Sequence, residues 1–75
     1  MEIKTRNGII NVSNKDVVLF NGACWQLLTQ TYFSDYHYRY YLLNKAKCEK
    51  WVKDGVLVLK KASNQMGLWY YRFNV

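Results

Sequence analysis

The chain has no proline, one histidine, two cysteines and five acidic residues among its 75 residues. Without proline it has no stiff proline-rich linker. Cys24 and Cys48 are far apart in sequence and, with only His37 beside them, fit no zinc-binding spacing. No run approaches the ~18 apolar residues of a membrane span, and the N-terminal stretch lacks the apolar core of a signal peptide. We therefore expect two free thiols, no metal, no cofactor, no membrane partner and a cytoplasmic location.

Catalytic motifs are also missing. His37 has no serine or cysteine nucleophile placed near it by a recognisable motif, and Asp35 alone does not complete a triad. The sequence has neither a glycine-rich phosphate loop nor a paired-carboxylate motif. So short a chain also leaves little room for a sheltered active site. We expect a protein that is not an enzyme.

Apolar and basic residues dominate the composition. Hydrophobic residues make up 51% of the chain and aromatic residues 17%. Because each large ring buries roughly 150–250 Å², these rings can build a compact core in one domain that spans residues 1–75. The net charge of +6 and a pI of 9.5 favour a negatively charged partner, above all nucleic acid.

The N-terminal segment predicts a β-hairpin. Asn7 and Gly8 suit a tight turn, and β-branched residues flank them, so we expect strands near Glu2–Arg6 and Ile9–Val12.

Two interpretations fit the segment from Asn14 to Thr31. Ser13 and Asp16 resemble a capping box, and apolar residues then recur at helical spacing, which is typical of one long helix. The Asn-Gly pair inside the segment favours the alternative, a strand at Val17–Phe20 followed by a helix at Gly22–Thr31 that Asn21 caps. In either helix Trp25 and Cys24 occupy core positions.

The tyrosine-rich run that follows, "YHYRYYLL", favours a strand. Alternation places rings on both faces, so the pattern does not say which face is buried. We expect one face to join the core. The exposed remainder, Arg39, His37 and Tyr41, is a candidate contact surface for nucleic acid or protein.

The segment "NKAKCEKWVKDG" predicts a helix. Asn44 suits its N-cap and Gly55 its left-handed C′ position. Cys48 and Trp51 share the apolar arc, while lysines cover the opposite side. The end of the chain predicts a second hairpin with strands at Val56–Lys61 and Leu68–Asn74.

Together these elements predict an α+β fold, with a small antiparallel sheet from the N- and C-terminal hairpins and two helices packed on it. The run from Leu43 to Val58, "LNKAKCEKWVKDGVLV", resembles the last helix and first wing strand of a winged helix-turn-helix domain. The resemblance implies that the helix enters the DNA major groove and that the final hairpin is the wing. The DNA-binding residues it implies are Lys45, Lys47, Lys50, Lys53, Lys60, Lys61 and Arg72.

The size, charge and Asn/Lys/Tyr usage resemble those of small proteins from phages of AT-rich Gram-positive bacteria. That resemblance implies a regulator or an inhibitor of host defence, such as an anti-CRISPR protein, in the host cytoplasm. Our leading hypothesis is a nucleic-acid-binding regulator. The alternative is an inhibitor that occludes a host protein or protein–RNA complex. A homodimer that pairs the terminal strand Leu68–Val75 with its copy is a further hypothesis.

Overall fold

The computed structural model describes residues 1–6, 8–30 and 38–75, and within them it forms seven strands and one helix. The strands are β1 (Glu2–Thr5), β2 (Gly8–Asn11), β3 (Val17–Phe20), β4 (Trp25–Gln30), β5 (Tyr38–Leu43), β6 (Leu57–Ser63) and β7 (Leu68–Phe73), and the helix α1 is Lys45–Lys53. Five strands form an antiparallel sheet in the order β5-β4-β3-β7-β6, and β1 and β2 form a separate two-stranded sheet.

The predicted α+β fold is therefore wrong. The structure is mostly β, the described residues contain one helix instead of two, and the two terminal hairpins belong to different sheets. The winged-helix-like arrangement fails with it, since most of the main sheet comes from strands in the middle of the chain.

Both terminal hairpins themselves are confirmed. In the first, Glu2 pairs with Asn11 and Thr5 with Gly8. In the second, Leu57 pairs with Phe73 and Ser63 with Leu68. Strand β7, however, lies between β3 and β6. Its backbone pairs on both sides within the chain, so β7 is not an edge strand; a homodimer stays a prediction.

The helix predicted from Gly22 onward is wrong. The strand predicted at Val17–Phe20 is present as β3, but a second strand, β4, replaces the predicted helix. The side chain of Asn21 accepts hydrogen bonds from the backbone N–H groups of Ala23 at 2.9 Å and Cys24 at 2.7 Å, so it closes a turn instead of capping a helix. Strand β4 then pairs with β3 on one side and β5 on the other.

A capping-box hydrogen bond forms between Ser13 and Asp16 without a helix. The Asp16 carboxylate accepts from the Ser13 backbone N–H at 2.8 Å, and the Ser13 hydroxyl accepts from the Lys15 N–H at 3.3 Å. These bonds close the turn that leads into β3. The motif thus specifies a local turn, and the strand pairing that follows decides the secondary structure.

The helix α1 has the ends that its sequence predicts. The Asn44 side chain accepts from the Lys47 N–H at 3.0 Å. At the other end, the N–H of Gly55 bonds to the carbonyl of Val52, and the N–H of Val56 bonds to that of Trp51 at 2.8 Å. With Gly55 at φ +79°, this is a Schellman motif.

Alternation along the paired strands gives the main sheet two faces. On the covered face, α1 and the β1–β2 hairpin pack against the sheet through Cys48, Trp51 and Ile3. The covered-face residues include Val18, Phe20, Trp25, Leu27, Tyr41, Leu43, Leu57, Leu59, Ala62, Trp69, Tyr71 and Phe73. The open-face residues are Val17, Leu19, Gln26, Leu28, Leu42, Val58, Lys61, Tyr70 and Arg72.

The core lies on the covered face. Val18, Leu27, Leu57 and Phe73 are fully buried there, and aromatic rings pack against one another across strands. Phe20 stacks on Trp25 with ring centroids 4.3 Å apart. None of the open-face residues is buried. The five strands therefore place the packed core on one side and a partly exposed surface on the other.

Candidate nucleic-acid interface

A groove on the open face gathers basic side chains from three segments of the chain. Lys15 comes from the turn before β3, Lys60 and Lys61 from β6, and Arg72 from β7, and Tyr70 lies among them. We call this groove the sheet groove; it is lined by Asn14, Lys15, Asp16, Val17, Lys60, Lys61, Tyr70, Tyr71 and Arg72. Since Val17, Lys61, Tyr70 and Arg72 all have open-face register, the groove lies on that face.

A β-bulge brings two consecutive lysines into the sheet groove. In a regular strand, neighbouring side chains point to opposite faces. The register between β6 and β7 shifts between Leu59, which pairs with Tyr71, and Lys61, which pairs with Tyr70. Lys60 is the extra residue, and both it and Lys61 line the groove. The bulge thus concentrates positive charge that a regular strand would divide between two faces.

The acid and the arginine of the sheet groove differ in their hydrogen bonding. Asp16, the one acid among the described lining residues, accepts a hydrogen bond from the Ser13 N–H. The Nε of Arg72 is shielded from solvent and has no hydrogen-bond partner among the described residues. A shielded donor without a partner costs free energy, about 1–3 kcal/mol for a neutral group and more for a charged one. Arg72 itself lines the sheet groove and adds a positive charge to it.

A second basic groove lies at the β5 edge of the sheet, where the β1–β2 hairpin approaches β5 and the start of α1. We call it the hairpin groove; it is lined by Lys4, Thr5, Arg6, Leu42, Leu43, Asn44 and Lys47. The Lys47 ammonium lies 5.4 Å from the centre of the Trp51 ring, close enough for a cation–π contact. This groove has cations, but none of the described residues that line it is aromatic.

The structure divides the seven predicted DNA-binding residues among three places. Lys60, Lys61 and Arg72 come together in the sheet groove, and Lys47 lies in the hairpin groove. The other three, Lys45, Lys50 and Lys53, are exposed on α1 and line neither groove. The helix covers the face opposite the sheet groove, so these lysines do not extend it. Contact of any of the seven with nucleic acid stays a prediction.

The predicted contact surface of the tyrosine-rich run is only partly described. His37 lies outside the described residues, and Arg39 is within β5. Tyr41 is half-buried and packs against the core on the covered face, so it does not belong to a freely exposed surface.

Sequence reasoning missed Lys15 and Tyr70 in the sheet groove, and Lys4 and Arg6 in the hairpin groove. Only one signal pointed to Tyr70: its alternation with Trp69 and Tyr71 on a predicted strand. For Lys15 no local signal exists, because pairing between β3 and β7 brings it near Arg72.

The two cysteines are free, as expected, but they occupy different environments. Cys24 is exposed, so its predicted core position is wrong. Cys48, on the side of α1 that faces the core, is fully buried, and burial raises the pKa of its thiol to about 12. Its thiol therefore serves as a small apolar core group.

The described residues contain no cluster of three or more histidine, cysteine or acidic side chains that could hold a metal ion. No helix there has the length and apolar character needed to cross a bilayer.

Comparison of the chain with protein-family models, with curated proteins and with solved structures finds no match.

Proposed function

We propose that this chain is a small, non-enzymatic, cytoplasmic nucleic-acid-binding protein and that the sheet groove is its contact surface. The observation that carries the proposal is the convergence of Lys15, Lys60, Lys61 and Arg72, from three separate segments, beside the ring of Tyr70. Cations that converge from distant segments offer a polyanion several phosphate contacts at once, which supply most of the affinity of nucleic-acid binding.

The β-bulge strengthens the proposal. Bulges are frequent next to functional sites, where they redirect a side chain. Here the redirected residue is a lysine, and it adds charge to a groove that already holds Lys61 and Arg72. Like charges placed together repel one another, so a fold gains nothing in stability from this arrangement. Binding of an anion would offset that repulsion.

The test is a titration of a fluorescently labelled single strand and of the matching duplex, followed by anisotropy at about 50 mM and about 200 mM salt. We expect binding at the lower salt concentration that weakens steeply at the higher one. In the double variant Lys60→Glu/Lys61→Glu the binding should weaken at least tenfold, and the log–log salt slope should fall by about 2.

A matched comparison is the variant Lys50→Glu/Lys53→Glu, which makes the same change in net charge on the exposed side of α1. It should weaken binding less, because it acts only through the overall field. If neither nucleic acid binds at low salt, the proposed function is wrong. If the helix variant loses as much affinity as the groove variant, the sheet groove is not the contact surface.

A second candidate function, inhibition of a host protein by occlusion, is favoured by the exposed apolar residues of the sheet. Leu42 is 46% exposed and Val58 36% exposed on the open face. The half-buried residues Val17, Leu19 and Leu28 lie between them on the same face. A contiguous apolar patch with a polar rim is typical of a protein interface. A pull-down from nuclease-treated host lysate separates the two functions: protein partners that survive nuclease favour the inhibitor, and their loss favours the nucleic-acid-binding protein.

A further inference from the structure

We infer that the sheet groove binds an unpaired nucleic-acid strand, with one base stacked on the ring of Tyr70 and neighbouring phosphates held by Lys61 and Arg72. This inference rests on the proposed function and adds the class of nucleic acid and the role of an aromatic residue. It follows from the shape of the open face and from the surroundings of Tyr70.

The width of the sheet argues against docking in a duplex groove. Neighbouring strands lie about 4.8 Å apart, so five strands are roughly 19 Å wide. The major groove of B-DNA is about 12 Å wide and admits a helix or a two-stranded ribbon, not a sheet of this width. The helix that could enter such a groove packs on the opposite face, where Trp51 contacts Phe73 with ring centroids 5.7 Å apart.

The tip of the β6–β7 hairpin is a ribbon that could enter a duplex groove. Its residues, from Ser63 to Leu68, include no lysine or arginine. The cations lie farther back along the ribbon, at Lys60, Lys61 and Arg72. A duplex that received the tip would meet uncharged side chains first, which is the reverse of what phosphate attraction favours.

Tyr70 differs from the other described rings in its surroundings. Phe20, Trp25, Trp69 and Tyr71 contact one another on the covered face, as do Trp51 and Phe73. Among the described residues, no ring contact or hydrogen bond involves the side chain of Tyr70. It is half-buried on the open face, where it lines the sheet groove.

The neighbours of Tyr70 suit a strand that lies across it. Lys61 is its direct cross-strand partner on β6 and Leu19 its partner on β3. Arg72 is two residues farther along β7 on the same face, a distance of about 7 Å. A base on the ring would therefore have a cation on each of two sides for its flanking phosphates. Stacking on an aromatic ring with cations along the backbone path is the general mode of single-strand binding, because every base has a π-face.

The experiment compares Tyr70→Ala with Tyr70→Phe, which keeps the ring and removes only the hydroxyl. Each variant is titrated with a single-stranded DNA, the matching duplex and inorganic polyphosphate, which offers charge without bases. We expect the wild-type chain to prefer the single strand over the duplex. Tyr70→Ala should lose roughly 5- to 150-fold in single-strand affinity, equivalent to about 1–3 kcal/mol. Tyr70→Phe should stay close to wild type, and polyphosphate binding should not change in either variant.

The two proposals fail in different ways. Equal affinity for single strand and duplex, or unchanged single-strand affinity in Tyr70→Ala, overturns this inference and leaves salt-dependent binding at the sheet groove intact. Failure of every nucleic acid to bind overturns both. Thermal unfolding of each variant accompanies the titrations, and a loss of affinity in a Tyr70→Ala protein that unfolds at the wild-type temperature supports stacking. A loss that Tyr70→Phe shares contradicts it, because the ring is then not what binds.

Discussion

The two faces of the main sheet are built from alternate residues of the same strands, yet they have opposite properties. On β7, Tyr71 and Phe73 pack into the core, while Tyr70 and Arg72 between them line the sheet groove. Among the described residues, the core on the covered face holds no charged side chain, and the groove on the open face is predominantly basic. One short strand thus contributes to stability with one set of side chains and to the candidate interface with the other.

The difference shows how a chain this small combines a core with a candidate binding surface. Burying a charge without a partner costs far more than burying a ring. The cationic side chains of the sheet groove therefore lie on the face that neither α1 nor the β1–β2 hairpin covers. The aromatic rings on the other face lie under α1 and the β1–β2 hairpin. The candidate interface then needs no separate domain, only a sheet that the helix and the hairpin cover on one side.

The largest expected effect comes from a substitution that opens a cavity in the covered face, and it tests the difference between the two faces. Phe73 is fully buried and contacts the Trp51 ring. Phe73→Ala should lower the free energy of unfolding by about 3–5 kcal/mol, which is a large share of the total for a domain of this size. The measurement is urea unfolding followed by tryptophan fluorescence.

Tyr70→Ala is the matched control, since Tyr70 is an aromatic residue on the same strand but on the open face. It should lose much less stability than Phe73→Ala. Equal losses would mean that the open face is packed as tightly as the covered face, and the comparison would fail.

The second test uses the cysteines as reporters of burial. With its pKa raised to about 12 by burial, Cys48 stays a protonated thiol near pH 8, and a thiol is not the nucleophile in alkylation. Iodoacetamide at that pH should modify exposed Cys24 and leave Cys48 unmodified, as measured by intact-mass spectrometry.

Adding denaturant should expose Cys48 and allow the second modification. The variant Cys24→Ser isolates this site: its alkylation rate should track global unfolding. Rapid alkylation of Cys48 in the native protein would show that α1 detaches readily from the covered face.

The third test concerns the end of α1. Gly55 has φ +79°, and a Cβ at this position would meet no atom within 4 Å. Gly55→Ala should therefore cost only the conformational penalty of a left-handed residue, about 1–2 kcal/mol. Gly55→Asn should cost less, because asparagine tolerates this conformation. Thermal unfolding measures both, and nucleic-acid affinity should not change, because Gly55 lies in neither groove.

The smallest effect is expected on the open face itself. Leu42 is 46% exposed there, so Leu42→Thr should change the free energy of unfolding by no more than about 0.5 kcal/mol. The same chemical denaturation assay detects the change. A loss above about 2 kcal/mol would reveal that Leu42 is covered by another part of the chain.

Local signals in the sequence predicted the pieces of the fold that depend on neighbouring residues. Asn44 and Gly55 mark the ends of α1, and both form the capping hydrogen bonds that their types favour. The strands of both terminal hairpins also form, and Val17–Phe20 is a strand as one interpretation proposed.

The sequence failed where pairing between distant residues decided the outcome. The segment after Gly22 has helical periodicity, but Leu27 pairs with Val18 on one strand and with Tyr41 on the other. Two ladders of backbone hydrogen bonds and burial of Leu27 outweigh a preference for helix that is worth only tenths of a kcal/mol per residue. For the same reason the sequence predicted only part of the candidate site. Positive charge indicated Lys60, Lys61 and Arg72, whereas only strand pairing brings Lys15 and Tyr70 close to them.

By itself the sequence determined the caps of α1, the turns at Asn21 and Ser13, the net positive charge and the absence of a zinc-binding spacing, because each of these depends on residue type and local spacing. Only the tertiary structure decided which face of each strand is buried. Rings and aliphatic residues occupy both sides of β5 and β7, so alternation alone leaves the choice open. The side on which α1 and the first hairpin pack settles it, and with it the side on which the basic groove lies.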